Sequence, residues 1–204
     1  MAFTNYTSFV TTVENYLART DLTSQIPDFI QLAQTRMSRD LRTEKMLKVA
    51  TAPITSGDGT LSVPSDMLEV REIHLQGNPP VILEFQSPDL FFKNFQTSLS
   101  GRPFYFTMLG SEFQFAPTPN GSFTAQILYY AQPTFISTTT ASNLYLANYP
   151  DALLYSTLAE AEPYLMNDNR IQTWSSLYDR AIQNIKTSDL GQTYPYTSLS
   201  VTPR

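Results

Sequence analysis

Four amphipathic stripes, two near each end of the chain, constrain this sequence more than any other feature. Tyr6, Phe9, Val10, Val13 and Leu17 recur at the spacing of one buried helix face. This predicts a first helix from about Asn5 to Arg19, with Thr4 as a plausible N-cap. Ile26, Phe29, Ile30, Ala33, Met37 and Leu41 form a second stripe. Its helix starts near Ser24 to Pro27, where proline's missing N–H costs nothing. About a hundred residues later the pattern returns. Leu154, Leu158, Ala161 and Leu165 form a third row, with Pro150 in the first turn and Pro163 expected to kink or shorten the helix. Trp174, Leu177, Tyr178, Ala181 and Ile185 form the fourth, on a helix from about Asn169 to Lys186. None of these stripes can be buried alone, so the ends of the chain are expected to pack together.

Between them the period changes to two. Val49 to Ile54 and Leu61 to Val63 flank the turn sequence SGDGT and read as a hairpin. Leu68 to Gln76 and Pro80 to Phe85 read as a second pair around Gly77 and Asn78, and Phe104 to Leu109 with Glu112 to Phe115 as a third around Gly110 and Ser111. Phe123, Ala125, Ile127 and Tyr129 alternate with Thr124, Gln126, Leu128 and Tyr130 as a strand does. Ser87 to Phe95 reads as a short helix capped by Ser87. The expected class is α+β: a helical bundle from the N- and C-terminal helices, a central β-rich insertion and an extended C-terminal arm. The expected segments are an N-terminal helical hairpin over 1–45, the insertion over 46–135, a C-terminal hairpin over 148–187 packing on the first, and the arm over 188–204.

Composition bears mainly on partners. Charged residues make up only 15% of the 204, against a usual share of about 25%. With 12 Tyr and 13 Phe, this suits a surface covered by neighbouring subunits as well as a Thr/Ser/Gln-rich one facing water. The net charge of −5 opposes gripping DNA, which needs cations against phosphates, but suits a wall past which DNA slides. Without cysteine there is no disulfide, thiolate metal site or cysteine nucleophile. No apolar run approaches a membrane span, and the N-terminus does not read as a signal peptide, so a cytoplasmic origin is expected.

Little points to catalysis, and no cofactor or metal is expected. The single histidine, His74, lies in a predicted strand between Ile73 and Leu75 and reads as structural. No phosphate-cradling glycine loop and no nucleophile elbow occurs. Glycan cleavage needs two carboxyls facing one substrate. Glu160 and Glu162 are two apart on a helix, and Glu69 and Glu72 lie on opposite faces of a regular strand. Arg36, Arg39, Arg42, Lys45 and Lys48 recur every three residues and drift around a helix, which suits solvated residues pairing with Asp40 and Glu44.

The helical segments carry a resemblance. Tyr149-Pro150-Asp151-Ala152-Leu153-Leu154-Tyr155, an Ala/Glu-rich turn of helix and Trp174-Ser175-Ser176-Leu177-Tyr178 form one part. Pro27-Asp28-Phe29-Ile30, followed by Arg36 and Leu41-Arg42, forms the other. Together they resemble the head-to-tail adaptor (connector, head-completion) proteins of tailed bacteriophages. The resemblance covers both helical segments well and the β region loosely. It implies a structural virion protein of the neck, made in the host cytoplasm, and no enzyme. Copies would form a ring, usually twelve-fold, under the portal, with DNA passing through the lumen unrecognised and tail or nozzle proteins below. The C-terminal segment commonly reaches the portal in such proteins. Here Tyr194, Tyr196, Leu199, Val201 and Arg204 are the candidate contacts to the portal or a neighbouring subunit, unless the segment is merely a frayed end. A cell-wall-degrading tail enzyme and another tail or baseplate component are the competing readings.

Overall fold

The structure, a computed structural model, describes residues 5–19, 21–95, 99–165 and 168–193. The chain divides into two compact units, one within residues 1–46 and 133–204 and the other over 47–132.

The first unit is helical. α1 (Tyr6–Leu17) opens on a capping box. The Asn5 side chain accepts from Ser8 N at 2.9 Å, and Asn5 N donates to Ser8 Oγ at 3.1 Å. The cap is therefore Asn5, not Thr4, which lies outside the described residues. α2 (Ile26–Asp40) has no side-chain cap, and Pro27 and Asp28 occupy its first turn. A 3-10 turn follows at Glu44–Met46. The buried face of α2 is the sequence stripe itself, Ile26, Phe29, Ile30, Ala33 and Met37, continued by Leu41.

Three helices follow the β region. A short one, absent from the sequence reading, runs over Leu144–Asn148, capped by the Asn143 side chain accepting from Leu146 N at 2.9 Å. The next spans Pro150–Leu165 and the last Asp168–Thr193. The Pro150–Leu165 helix buries residues on every side, among them Leu153, Leu154, Ser156, Leu158, Ala161 and Glu162. That is the pattern of a helix enclosed by others, and α1, α2, the Leu144–Asn148 helix and the Asp168–Thr193 helix pack against it. Pro163 removes one donor in its last turn, and the helix ends at Leu165. The last helix is 26 residues long and continues to Thr193. Residues 188–193, assigned by sequence to the extended arm, are thus helical, and only 194–204 remain outside the described residues.

The second unit is a seven-stranded sheet. In chain order its elements are β1 (Leu47–Ile54), β2 (Thr60–Ser62), β3 (Met67–Leu75), β4 (Val81–Phe85), α3 (Pro88–Asn94), β5 (Ser100–Gly101), β6 (Tyr105–Leu109), β7 (Glu112–Ala116), β8 (Thr118–Pro119) and β9 (Phe123–Ala131). The helices after β9 are accordingly α4, α5 and α6. The order across the sheet is β1-β9-β3-β4-β6-β7-β2, with β5 and β8 forming a separate pair. β3–β4 and β6–β7 are antiparallel neighbours, and Gly110 supplies the positive φ of 58° between the latter two. β4 and β6 are parallel, so α3 lies in the crossover between them.

The first expected hairpin is not formed. β1 pairs along its length with β9, from Leu47 opposite Tyr130 to Ile54 opposite Phe123, while β2 pairs with β7. Residues 55–59 instead join the two edges of the sheet. A link of five residues reaches at most about 20 Å, so the sheet must curl until its edges approach. Its core is formed by Ile54, Ile73, Leu75, Leu83, Phe106, Phe113, Phe115, Ala125, Ile127 and Tyr129. Ser87 sits at the N-cap position of α3 but makes no side-chain cap bond, contrary to expectation.

Candidate interaction surfaces

The groups that could do chemistry are engaged structurally. His74 Nε2 meets Gln126 Oε1 at 3.0 Å across the β3–β9 ladder, and its Nδ1 lies 3.3 Å from Glu72 Oε1 without hydrogen-bond geometry. β3 is not the regular strand expected, because its register with β9 shifts between Met67 and Glu69 and again between Val70 and Glu72. Glu160 and Glu162 have separate partners. Glu160 Oε1 is 3.5 Å from Arg36 Nη1, whereas Glu162, 1% exposed, accepts from Trp174 Nε1 at 3.0 Å. No group of three or more potential metal ligands occurs among the described residues. No helix there is long and apolar enough to cross a membrane.

The basic series is dispersed. Arg36 lies over the Tyr178 ring, 4.3 Å from its centroid, and within 4.0 Å of Asp40. Arg42 donates to Ser38 O and Leu41 O at 2.7 and 2.6 Å. Lys45 reaches Asn148 Oδ1 at 2.6 Å, and Lys48 reaches Asp66 at 2.7 Å in the other unit. Four of the five basic residues thus have partners of their own.

Two polar clusters fix the helices of the first unit. In one, Tyr178 O–H donates to Asp40 at 2.6 Å, tying α6 to α2. Burial, and then this bond, push the Tyr178 hydroxyl well above its ordinary pKa. In the other, Trp174 is half-buried, not fully buried as a core stripe would imply. Its indole stacks on Tyr155 at 6.2 Å and 16°, and meets the edge of Tyr16 at 6.2 Å. The Glu162 bond satisfies the indole N–H, so the ring serves as hydrogen-bond donor and packing surface at once. A third anchor is Gln34, which accepts from Ile136 N at 2.8 Å and Asn143 Nδ2 at 2.9 Å, pinning the loop after β9 to α2.

The second unit carries the exposed apolar surface. Among the described residues, seven of eleven exposed large hydrophobics fall between 82 and 108: Ile82, Phe85, Leu90, Phe92, Leu99, Phe104 and Met108. Their concentration in one stretch of sequence makes it the candidate contact surface of this unit. A helix too short to have an unambiguous inner face gives no signal for which rings point out. The contacts assigned by sequence, Tyr194, Tyr196, Leu199, Val201 and Arg204, all lie outside the described residues.

Comparison with curated proteins returns no match. The family model described as SU10 adaptor protein matches residues 4–202, taking in both helical segments and the whole β region. That family is one of structural phage adaptors and not of enzymes. By this match over nearly its whole length, the chain belongs to the SU10 adaptor protein family and is a bacteriophage adaptor-type protein.

Proposed function

We propose that this chain is the subunit of a ring, of about twelve copies by analogy with connectors, that joins the portal to the tail or nozzle. DNA passes through its lumen. The observation that carries this reading is the family match over residues 4–202. The exposed apolar stretch between 82 and 108 supports it, because a ring subunit needs uncovered interface before assembly. The net charge of −5 suits a channel wall that does not hold phosphate. The ring is assembled in the host cytoplasm and resides in the neck of the virion. The segment bearing Tyr194, Tyr196, Leu199, Val201 and Arg204 contacts the portal or the adjacent subunit.

The test is co-sedimentation of the purified chain with its cognate portal ring. Saturable binding at a fixed ratio of copies is expected. A chain that stays in the supernatant at all concentrations would contradict the proposal.

A further inference from the structure

The second unit holds a groove of ≈ 360 Å³ whose walls are Phe91, Phe92 and Phe95 on one side and Phe115 to Thr118 with Gly57 and Gly59 on the other. The rings form a continuous ladder. Phe91 meets Phe92 at 5.7 Å and Phe95 at 5.6 Å, and Phe95 leans on Tyr105 at 4.8 Å. Phe91 is buried beneath, while Phe92 is 51% exposed and presents its ring outward. Grooves lined in this way receive extended, proline-containing segments, whose fixed backbone loses little entropy on docking.

The chain itself contains such a segment. Tyr194-Pro195-Tyr196 is followed by Leu199 and Val201, and the only charged side chain from 194 to 204 is Arg204. These eleven residues follow the last turn of α6 and span up to about 36 Å when extended. Asp58, between the two lining glycines, is exposed; its Oδ1 accepts from Thr60 N and Oγ1 at 3.0 and 2.8 Å, and its other oxygen faces Arg204 in the proposed contact. We propose that the groove beside α3 is the receptor for residues 194–204 of a second copy, so that each subunit plugs the next. Such a groove-and-plug contact is heterologous, the kind that closes rings. The inference rests on the adaptor reading and names the partner of its tail. The contact is weak in free subunits and becomes effective where a scaffold raises the local concentration to about millimolar.

The test uses the full chain. A copy with unlabelled nitrogen carrying Tyr196→p-benzoylphenylalanine is mixed with a ¹⁵N-labelled copy, with and without portal, irradiated and digested. Expected are cross-links from residue 196 of one isotope to the 57–60, 91–95 or 114–118 peptides of the other, reduced about tenfold by Phe92→Ser. Thr60→Arg, at an exposed position of the opposite wall, gives a second reading if Phe92→Ser perturbs the fold. Cross-links within one isotope only, to other peptides, or unaffected by both substitutions would overturn the inference. Portal co-sedimentation on the same samples separates the two readings. Portal binding without mixed-isotope groove cross-links defeats this inference alone, and groove cross-links without portal binding defeat the adaptor reading.

Discussion

At the scale of single residues, the structure replaces a simple account of Trp174 with a more specific one. A stripe argument treats it as core, for which alanine would cost about 3–5 kcal/mol. Half-burial lowers that, but the lost donor to a Glu162 that is 1% exposed adds to it. Trp174→Ala is expected to cost about 2–3 kcal/mol in urea denaturation. Trp174→Phe, which keeps stacking on Tyr155 and loses only the N–H, should cost about 1–2 kcal/mol. Equal losses for the two would mean that packing contributes nothing. Titration gives a second test. Tyr178, Tyr145, Tyr129 and Tyr6 all have raised pKa values with burial as the leading cause. The unfolded chain ionises these tyrosines first, so their contribution is complete below about pH 10 and is lost above it. Asp66 is held below the usual carboxylate range, first by Lys48 and also by Tyr129. Its contribution is complete above about pH 4 and is lost as the pH falls further. Stability should therefore be flat across neutral pH and fall at both ends. Asp66→Asn should flatten the acid limb, and an unaltered limb would dismiss that assignment.

At the scale of elements, what the sequence made legible follows from the range of the forces involved. The α2 face from Ile26 to Leu41 was readable because a helix declares its buried side within one turn. The pairing of β1 with β9 was not, because a strand's partner is chosen by the whole sheet and SGDGT signals only that the chain turns. α4 escaped because five residues hold too little periodicity, and its cap, Asn143, ends a polar stretch that reads as loop. The helix was expected to stop near Lys186, because the residues after it lack an apolar period, yet α6 continues to Thr193. The groove beside α3 was illegible because its opposite wall comes from 114–118. Helix α1 offers the direct test at this scale. Asn5→Ala removes the side chain that accepts from Ser8 N and should destabilise the helical unit by about 1 kcal/mol. No change in the denaturation midpoint would mean that α1 frays freely.

At the scale of the whole molecule, Leu47 and Tyr130 are opposite one another in β1 and β9, so the chain enters and leaves the sheet unit at neighbouring points. A short Gly-Ser linker between Met46 and Pro133 can therefore replace residues 47–132. The helical unit has its own core, including Phe9, Ile30, Met37, Leu153, Leu158 and Tyr178. The shortened chain is expected to keep its helical circular dichroism and unfold cooperatively, and a non-cooperative transition would show that its core depends on the insertion. DNA affinity should be non-specific and lost at physiological salt, since a chain of net charge −5 sets few cations against phosphate. The central claim is that the chain assembles as an adaptor on a portal. Electron microscopy of the purified chain, alone and mixed with portal rings, tests it most directly. Single subunits are expected alone, and one added ring of density with the portal's axis in the mixture. Bare portals beside dispersed subunits, or stable rings formed without portal, would contradict it.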